Sequence, residues 1–141
     1  MSNLTTILIV DDNAHMRETL KYLISRQPGL KVIGEAASGQ QAMDYIHKQQ
    51  PDVILMDINM APVNGFEATR KLARLFPSLK IIGLSVNREP SYARNMISLG
   101  AKGYLTKSSP SSEIIDAILR VSGGEIYVCK EIKDHDTDFQ Y

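Results

Sequence analysis

The sequence has no long hydrophobic run, no excess charge of either sign and a single cysteine, and each shortage closes off a class of protein. The apolar stretches Ile7–Val10 and Val53–Met56 fall far short of the roughly twenty residues that a membrane-spanning helix needs. The opening residues carry no basic segment followed by a long apolar stretch, so no signal peptide is legible. Sixteen Lys and Arg balance sixteen Asp and Glu, for a net charge of zero. A nucleic-acid surface needs a clustered positive excess, so no DNA binding is expected of this chain alone. Cys129 has no second cysteine to pair with, which suits a reducing, cytoplasmic compartment. No GxGxxG or GxxxxGK pattern occurs, and Gly100, Gly103, Gly123 and Gly124 read as turn and helix-end residues, not as a phosphate loop. His15, His47 and His135 lack the spacing of a metal site and read as surface residues.

What remains is a chain of 141 residues, 43% hydrophobic and 23% charged, the size and composition of one globular domain. Short apolar runs alternate with amphipathic segments. Thr6–Val10, Lys31–Ala36, Val53–Met56, Lys80–Leu84 and Gly103–Thr106 read as strands. The first, third and fourth are nearly continuous in Ile, Leu and Val, as in strands buried on both faces of a parallel sheet. Met16, Leu20, Leu23 and Ile24 form one helical stripe, and helices are expected over 39–49, 65–75, 91–99 and 111–122. Ser38 and Ser111 read as N-caps. Five strand–helix pairs predict an α/β fold, a doubly wound five-stranded parallel sheet with right-handed crossovers. Residues 129–141 read as a flexible tail.

In such sheets ligands bind beyond the carboxyl ends of the strands. Strand one runs into Asp11-Asp12, strand three into Asp57, strand four into Ser85 and strand five into Lys107. An isolated Asp after a strand is more often a cap or turn former, and a lone Ser or Lys is usually structural or solvated. Five such residues at one predicted sheet edge argue otherwise. Two carboxylates 4 Å apart repel by about 4 kcal/mol at an effective dielectric of 20, so three of them call for a cation or a proton. An all-oxygen set without Cys or His favours a hard ion, Mg²⁺ or Mn²⁺, over zinc.

These residues resemble the receiver domain of two-component response regulators. The resemblance rests on Ile9-Val-Asp-Asp12, Pro51-Asp-Val-Ile-Leu-Met-Asp-Ile58, Gly65 eight residues after Asp57, Leu84-Ser85 and Gly100-Ala-Lys-Gly-Tyr-Leu-Thr-Lys107. Finer features resemble the NarL/FixJ subfamily: Asp12 followed by Arg17, Gly34-Glu-Ala36, and Ala117-Ile118 leading to Gly124-Glu-Ile-Tyr127. The resemblance implies a flavodoxin-like (βα)5 fold with strand order 2-1-3-4-5, the receiver domain covering residues 5–128. It implies that Asp57 is the phosphoacceptor, served by a sensor histidine kinase or a histidine phosphotransfer protein. Asp12 would bind Mg²⁺ directly, Asp11 through water and Asn59 through its carbonyl. Lys107 and Ser85 would contact the phosphoryl group, and Tyr104 would be the switch aromatic that turns inward as Ser85 moves. The fourth helix, fifth strand and fifth helix would form the switched surface, read by a partner or by homodimerisation. Such a chain is a signalling domain, not an enzyme acting on a separate substrate.

Three departures from the family pattern stand out. Ala61 separates Met60 from Pro62 where the family often has Met-Pro. Val86 follows Ser85 where a small residue is common, which would narrow access to the site. Ser108 follows Lys107 in place of the frequent proline. A small phosphatase-like or flavin-binding α/β enzyme would show the same alternation. Asp11-Asp12 would repel a flavin phosphate, and a haloacid-dehalogenase-like site wants an acid where Asn59 stands. NarL/FixJ regulators usually carry a C-terminal DNA-binding domain that controls transcription. Only 19 residues follow Ser122, fewer than the roughly 40 that an unaided domain needs, so no output domain is expected within this chain.

Overall fold

A computed structural model of the chain describes residues 4–61 and 63–135. Parallel strands β1 (Thr5–Val10), β2 (Leu30–Ala36), β3 (Val53–Asp57), β4 (Lys80–Ser85) and β5 (Gly103–Thr106) alternate with helices α1 (Ala14–Ser25), α2 (Gly39–Lys48), α3 (Gly65–Leu75), α4 (Pro90–Ser98) and α5 (Ser111–Ser122). A two-residue strand β6 (Tyr127–Val128) and a short helix α6 (Lys130–His135) follow. The sheet order is β2-β1-β3-β4-β5-β6. The expected order therefore holds, with one strand added at the β5 edge, where Gly103 pairs with Tyr127 and Tyr104 with Val128.

The continuous apolar strands are central because both of their faces are covered. Ile7, Ile9 and Leu55 join Leu20 and Ile24 of α1 and Ala117, Ile118 and Val121 of α5 in one core. Leu8, Val10, Ile54, Met56 and Ile81 join Ala42 and Ile46 of α2 and Ala68 and Leu72 of α3 in the other. This sandwich holds the strand ends in register, so that Asp57 pairs with Leu84 and Ser85 with Thr106 across the sheet.

Two local expectations change. Ser38 caps α2, accepting from the Gln41 amide at 3.1 Å, but Ser111 is already helical and Pro110 occupies the cap position of α5. Residues 129–135 are not a loose tail. Cys129 and Ile132 are fully buried in the first core, and the Cys129 amide donates to the Tyr104 carbonyl at 3.0 Å. One apolar residue in a six-residue helix leaves no period to detect, and so the segment is silent in the sequence. Residues 136–141 of the expected tail lie outside the described residues.

Candidate functional site

The carboxyl ends of β1, β3, β4 and β5 bring the expected residues together. Asp11 lies one residue past β1 and Asp57 ends β3; both are buried, at 1% and 2% exposure. Asp12 is exposed at the rim. Carboxylate oxygens of Asp11, Asp12 and Asp57 lie within 4.8 Å of one another. Lys107, one residue past β5, reaches back over the edge and places Nζ 3.1 Å from Asp11 Oδ2 and 3.4 Å from Asp57 Oδ1.

One ammonium does not balance this arrangement. Burial pushes the Asp57 carboxyl above the usual carboxylate range, and the Asp11 charge pushes the same way. The Asn59 amide, which donates to Asp57 Oδ1 at 3.0 Å, and Lys107 oppose the shift without cancelling it. Asp11 Oδ1 accepts from the Asn13 amide at 2.9 Å. Asp11 Oδ2 is buried and makes no hydrogen bond, with the Lys107 ammonium 3.1 Å away as its ion-pair partner. A buried carboxylate oxygen served only by an ammonium that it shares with a second buried carboxylate is costly. Together with an all-oxygen set of like charges, it fits a hard divalent cation.

Ser85, fully buried at the end of β4, donates to Asn59 Oδ1 at 2.8 Å and accepts from the Asn87 amide at 3.0 Å. Its hydroxyl hydrogen is committed to Asn59. Tyr104 is fully buried, and its hydroxyl donates to the Asn87 carbonyl at 2.8 Å. Burial raises that phenol to about 12. Asn87 thus links the Ser85 hydroxyl to the Tyr104 ring, a link that runs through main-chain atoms and leaves no mark in the sequence. Val86, the branched residue next to Ser85, is 71% exposed.

Main-chain closures shape the loops. Asn13, not Asp12, caps α1, accepting from the Met16 amide at 3.0 Å. That leaves the Asp12 carboxylate without a side-chain hydrogen bond among the described residues. Gly65 explains its fixed distance from Asp57. Its amide donates to the Ile58 carbonyl at 3.2 Å, and a Cβ there would meet Ile58 Cα at 2.4 Å and the Asp57 carbonyl at 2.5 Å. Pro62, in the same loop, lies outside the described residues. Arg17 in α1 donates from Nη1 to the Asp11 carbonyl and from Nε to Glu35 Oε1, each at 2.7 Å. His15, His47 and His135 are exposed and do not join the acidic cluster.

Comparison with known proteins agrees with this geometry. A family model described as the response regulator receiver domain matches residues 7–119. Over 126 residues, 89% of the chain, the sequence is 38% identical to the transcriptional regulatory protein DegU of Brevibacillus brevis and 35% identical to the response regulator GacA of Pseudomonas viridiflava. These matches cover 53% and 59% of those proteins, so the chain spans little more than half the length of the curated relatives it matches. A crystal structure of a LuxR-family two-component response regulator from an Aurantimonas species superposes with a TM-score of 0.92 at 29% identity, covering 96% of this chain and 97% of that one. The response regulator domain of Thermotoga maritima CheB gives 0.80 at 30% identity, over 87% and 99%. Among the described residues no helix is long and apolar enough to cross a membrane.

Proposed function

Because the chain belongs to the response regulator receiver domain family, we propose that Asp57 accepts a phosphoryl group from a phosphohistidine on a sensor histidine kinase or a histidine phosphotransfer protein. The observation that carries this reading is the meeting of Asp11, Asp12, Asp57 and Lys107 at one sheet edge.

In the transfer, a carboxylate oxygen of Asp57 forms a bond to phosphorus as the phosphorus–nitrogen bond of the donor breaks. The leaving imidazole keeps the electron pair and takes a proton from solvent. Lys107 is a compact charge already 3.4 Å from Asp57 Oδ1, where it can pair with the incoming phosphoryl oxygens. Asp11, Asp12 and Asp57, with the main-chain carbonyl of Asn59, would hold Mg²⁺ or Mn²⁺, which when bound neutralises charge on the phosphoryl oxygens. The chain assists its own phosphorylation and dephosphorylation and turns over no separate substrate.

The product carries about −1.5 to −2 charges at one site. Ser85 would then exchange Asn59 for a phosphoryl oxygen, drawing the β4–α4 loop inward through Asn87. Asn87 also holds the Tyr104 hydroxyl, so the movement would repack α4, β5 and α5 as a population shift between two surfaces. A partner or a second copy of the chain would read the new surface. The name of one relative, a transcriptional regulatory protein, favours control of transcription as the output if the full protein carries a DNA-binding domain. The same reading puts the reaction in the cytoplasm, a reducing compartment that suits the single cysteine.

Acetyl phosphate tests the reading without the unidentified kinase. With Mg²⁺, intact mass is expected to show one acid-labile phosphoryl adduct, absent in chelator and in Asp57→Asn. No adduct, or an adduct that persists in Asp57→Asn, overturns the proposal.

A further inference from the structure

The ligand that the receiver reading assigns to direct metal contact is the least supported side chain of the cluster. Asp12 is exposed and makes no side-chain hydrogen bond among the described residues, whereas Asp11 and Asp57 are buried and each accepts a loop amide. The direction of its carboxylate therefore depends on the peptide plane that joins it to Asp11. One group outside the cluster holds that plane. Arg17 Nη1 donates to the Asp11 carbonyl at 2.7 Å, while the preceding peptide is fixed by the Asp11 amide donating to the Ala36 carbonyl at 3.0 Å.

The guanidinium is itself anchored. Its Nε donates to Glu35 Oε1 at 2.7 Å, and the second oxygen of Glu35 is held by Lys21 at the same distance. Arg17 is only 17% exposed at its side chain, and the two cations hold the Glu35 carboxyl below its ordinary range. A planar fork serves two acceptors in different directions at once; a lysine ammonium is a single point and cannot reproduce both bonds. We infer that Arg17, clamped by Glu35, is a positioning residue that fixes the Asp11–Asp12 peptide and so aims Asp12 into the divalent-cation site. The inference rests on the receiver reading, and it adds two residues, on α1 and β2, that touch neither cation nor phosphoryl group.

The test is the Mg²⁺ dissociation constant of the whole chain without any phosphoryl donor, taken from the rise of Tm with Mg²⁺ concentration. Far-UV circular dichroism serves as the signal, since the chain has no tryptophan. Loss of a partner that orients a metal ligand typically weakens the metal by 10–100-fold. Arg17→Met is expected to weaken Mg²⁺ by about 10-fold. Arg17→Lys, which keeps the charge, is expected to recover only part of that loss. Glu35→Gln should weaken Mg²⁺ by about threefold, less than the loss of the orienting partner itself, because Arg17 keeps its bond to the Asp11 carbonyl. Lys21→Met removes a neighbouring charge and one bond to Glu35 without touching the loop, and it should leave the constant within about twofold. A purely structural pin would lower Tm without metal and leave the concentration dependence unchanged, which overturns the inference. So does Arg17→Lys binding as tightly as the wild type, because charge alone would then suffice. If Arg17→Met does not fold, Arg17→Lys and Glu35→Gln decide the matter. A wild-type chain with no Mg²⁺ response contradicts the cation reading itself, a failure separate from that of Arg17.

Discussion

Asp57 shows how a single residue can oppose the fold that holds it. Its carboxyl is pushed up by burial and by Asp11, so the folded chain binds that proton more tightly than the unfolded one. The resulting stability is fully present below the unfolded value, about pH 3.9, and is lost as pH rises through the raised folded value. At neutral pH the ionised group is therefore a net cost. Asp57→Asn is expected to stabilise the metal-free chain by about 1–2 kcal/mol, a Tm rise of roughly 3–8 °C. The advantage should shrink towards zero as pH falls below about 4. Thermal melts of both proteins at pH 7 and pH 4 in chelator check this; an Asn variant less stable at pH 7 contradicts it. Tyr104→Phe removes the donor to the carbonyl of half-buried Asn87, and chemical denaturation should show a loss of about 1–2 kcal/mol. At this scale the sequence exposed the side chains that end strands, since strand ends were predictable from runs such as Val53–Met56. It hid Asn87 and the bond from Arg17 to the Asp11 carbonyl, because a main-chain acceptor is the same in every residue.

Among the elements, the loops after β3 and β5 depend on features of unequal visibility. Gly65 was visible by its spacing from Asp57, but its reason is the approach of Ile58 Cα and the Asp57 carbonyl to the position of a Cβ. Those contacts are backbone, so relief requires the loop itself to move. Gly65→Ala is expected to cost about 2–4 kcal/mol, in the range of overpacking that shifts backbone, and to lower Mg²⁺ affinity along with stability. Equal stability by urea denaturation would contradict the close approach. The α6 helix was invisible, yet it ties down two loops. Glu131 Oε1 accepts from Thr106 at 2.6 Å and from Ser108 at 2.9 Å, and Oε2 lies 3.5 Å from Arg88 in the β4–α4 loop. These donors hold the Glu131 carboxyl below its ordinary range, Thr106 most strongly. Beneath it Ile132 is fully buried. Ile132→Ala should cost about 2–5 kcal/mol, a large effect for a residue in what reads as a tail. An unchanged urea midpoint would show that α6 does not pack. β6 escaped detection for a related reason, since two residues carry no alternation to count.

For the molecule as a whole, the balanced composition conceals a local imbalance. The net charge of zero coexists with three carboxylates gathered at one edge against one ammonium. Alternation of apolar runs made the layered α/β architecture legible, because each buried strand and each amphipathic helix admits few placements; the strand order came only with the receiver-domain resemblance. The sheet then converts positions far apart in sequence into one site. The chemistry claimed for that site is narrow: a phosphoryl group carried as an acyl phosphate on Asp57 and on no other carboxylate. The most direct measurement is to treat the chain with acetyl phosphate and Mg²⁺, reduce it with borohydride, which turns an acyl-phosphorylated aspartate into homoserine, and map the peptides by mass spectrometry. Homoserine at position 57 alone is the expected result. Homoserine at Asp11 or Asp12, or none anywhere, would contradict it.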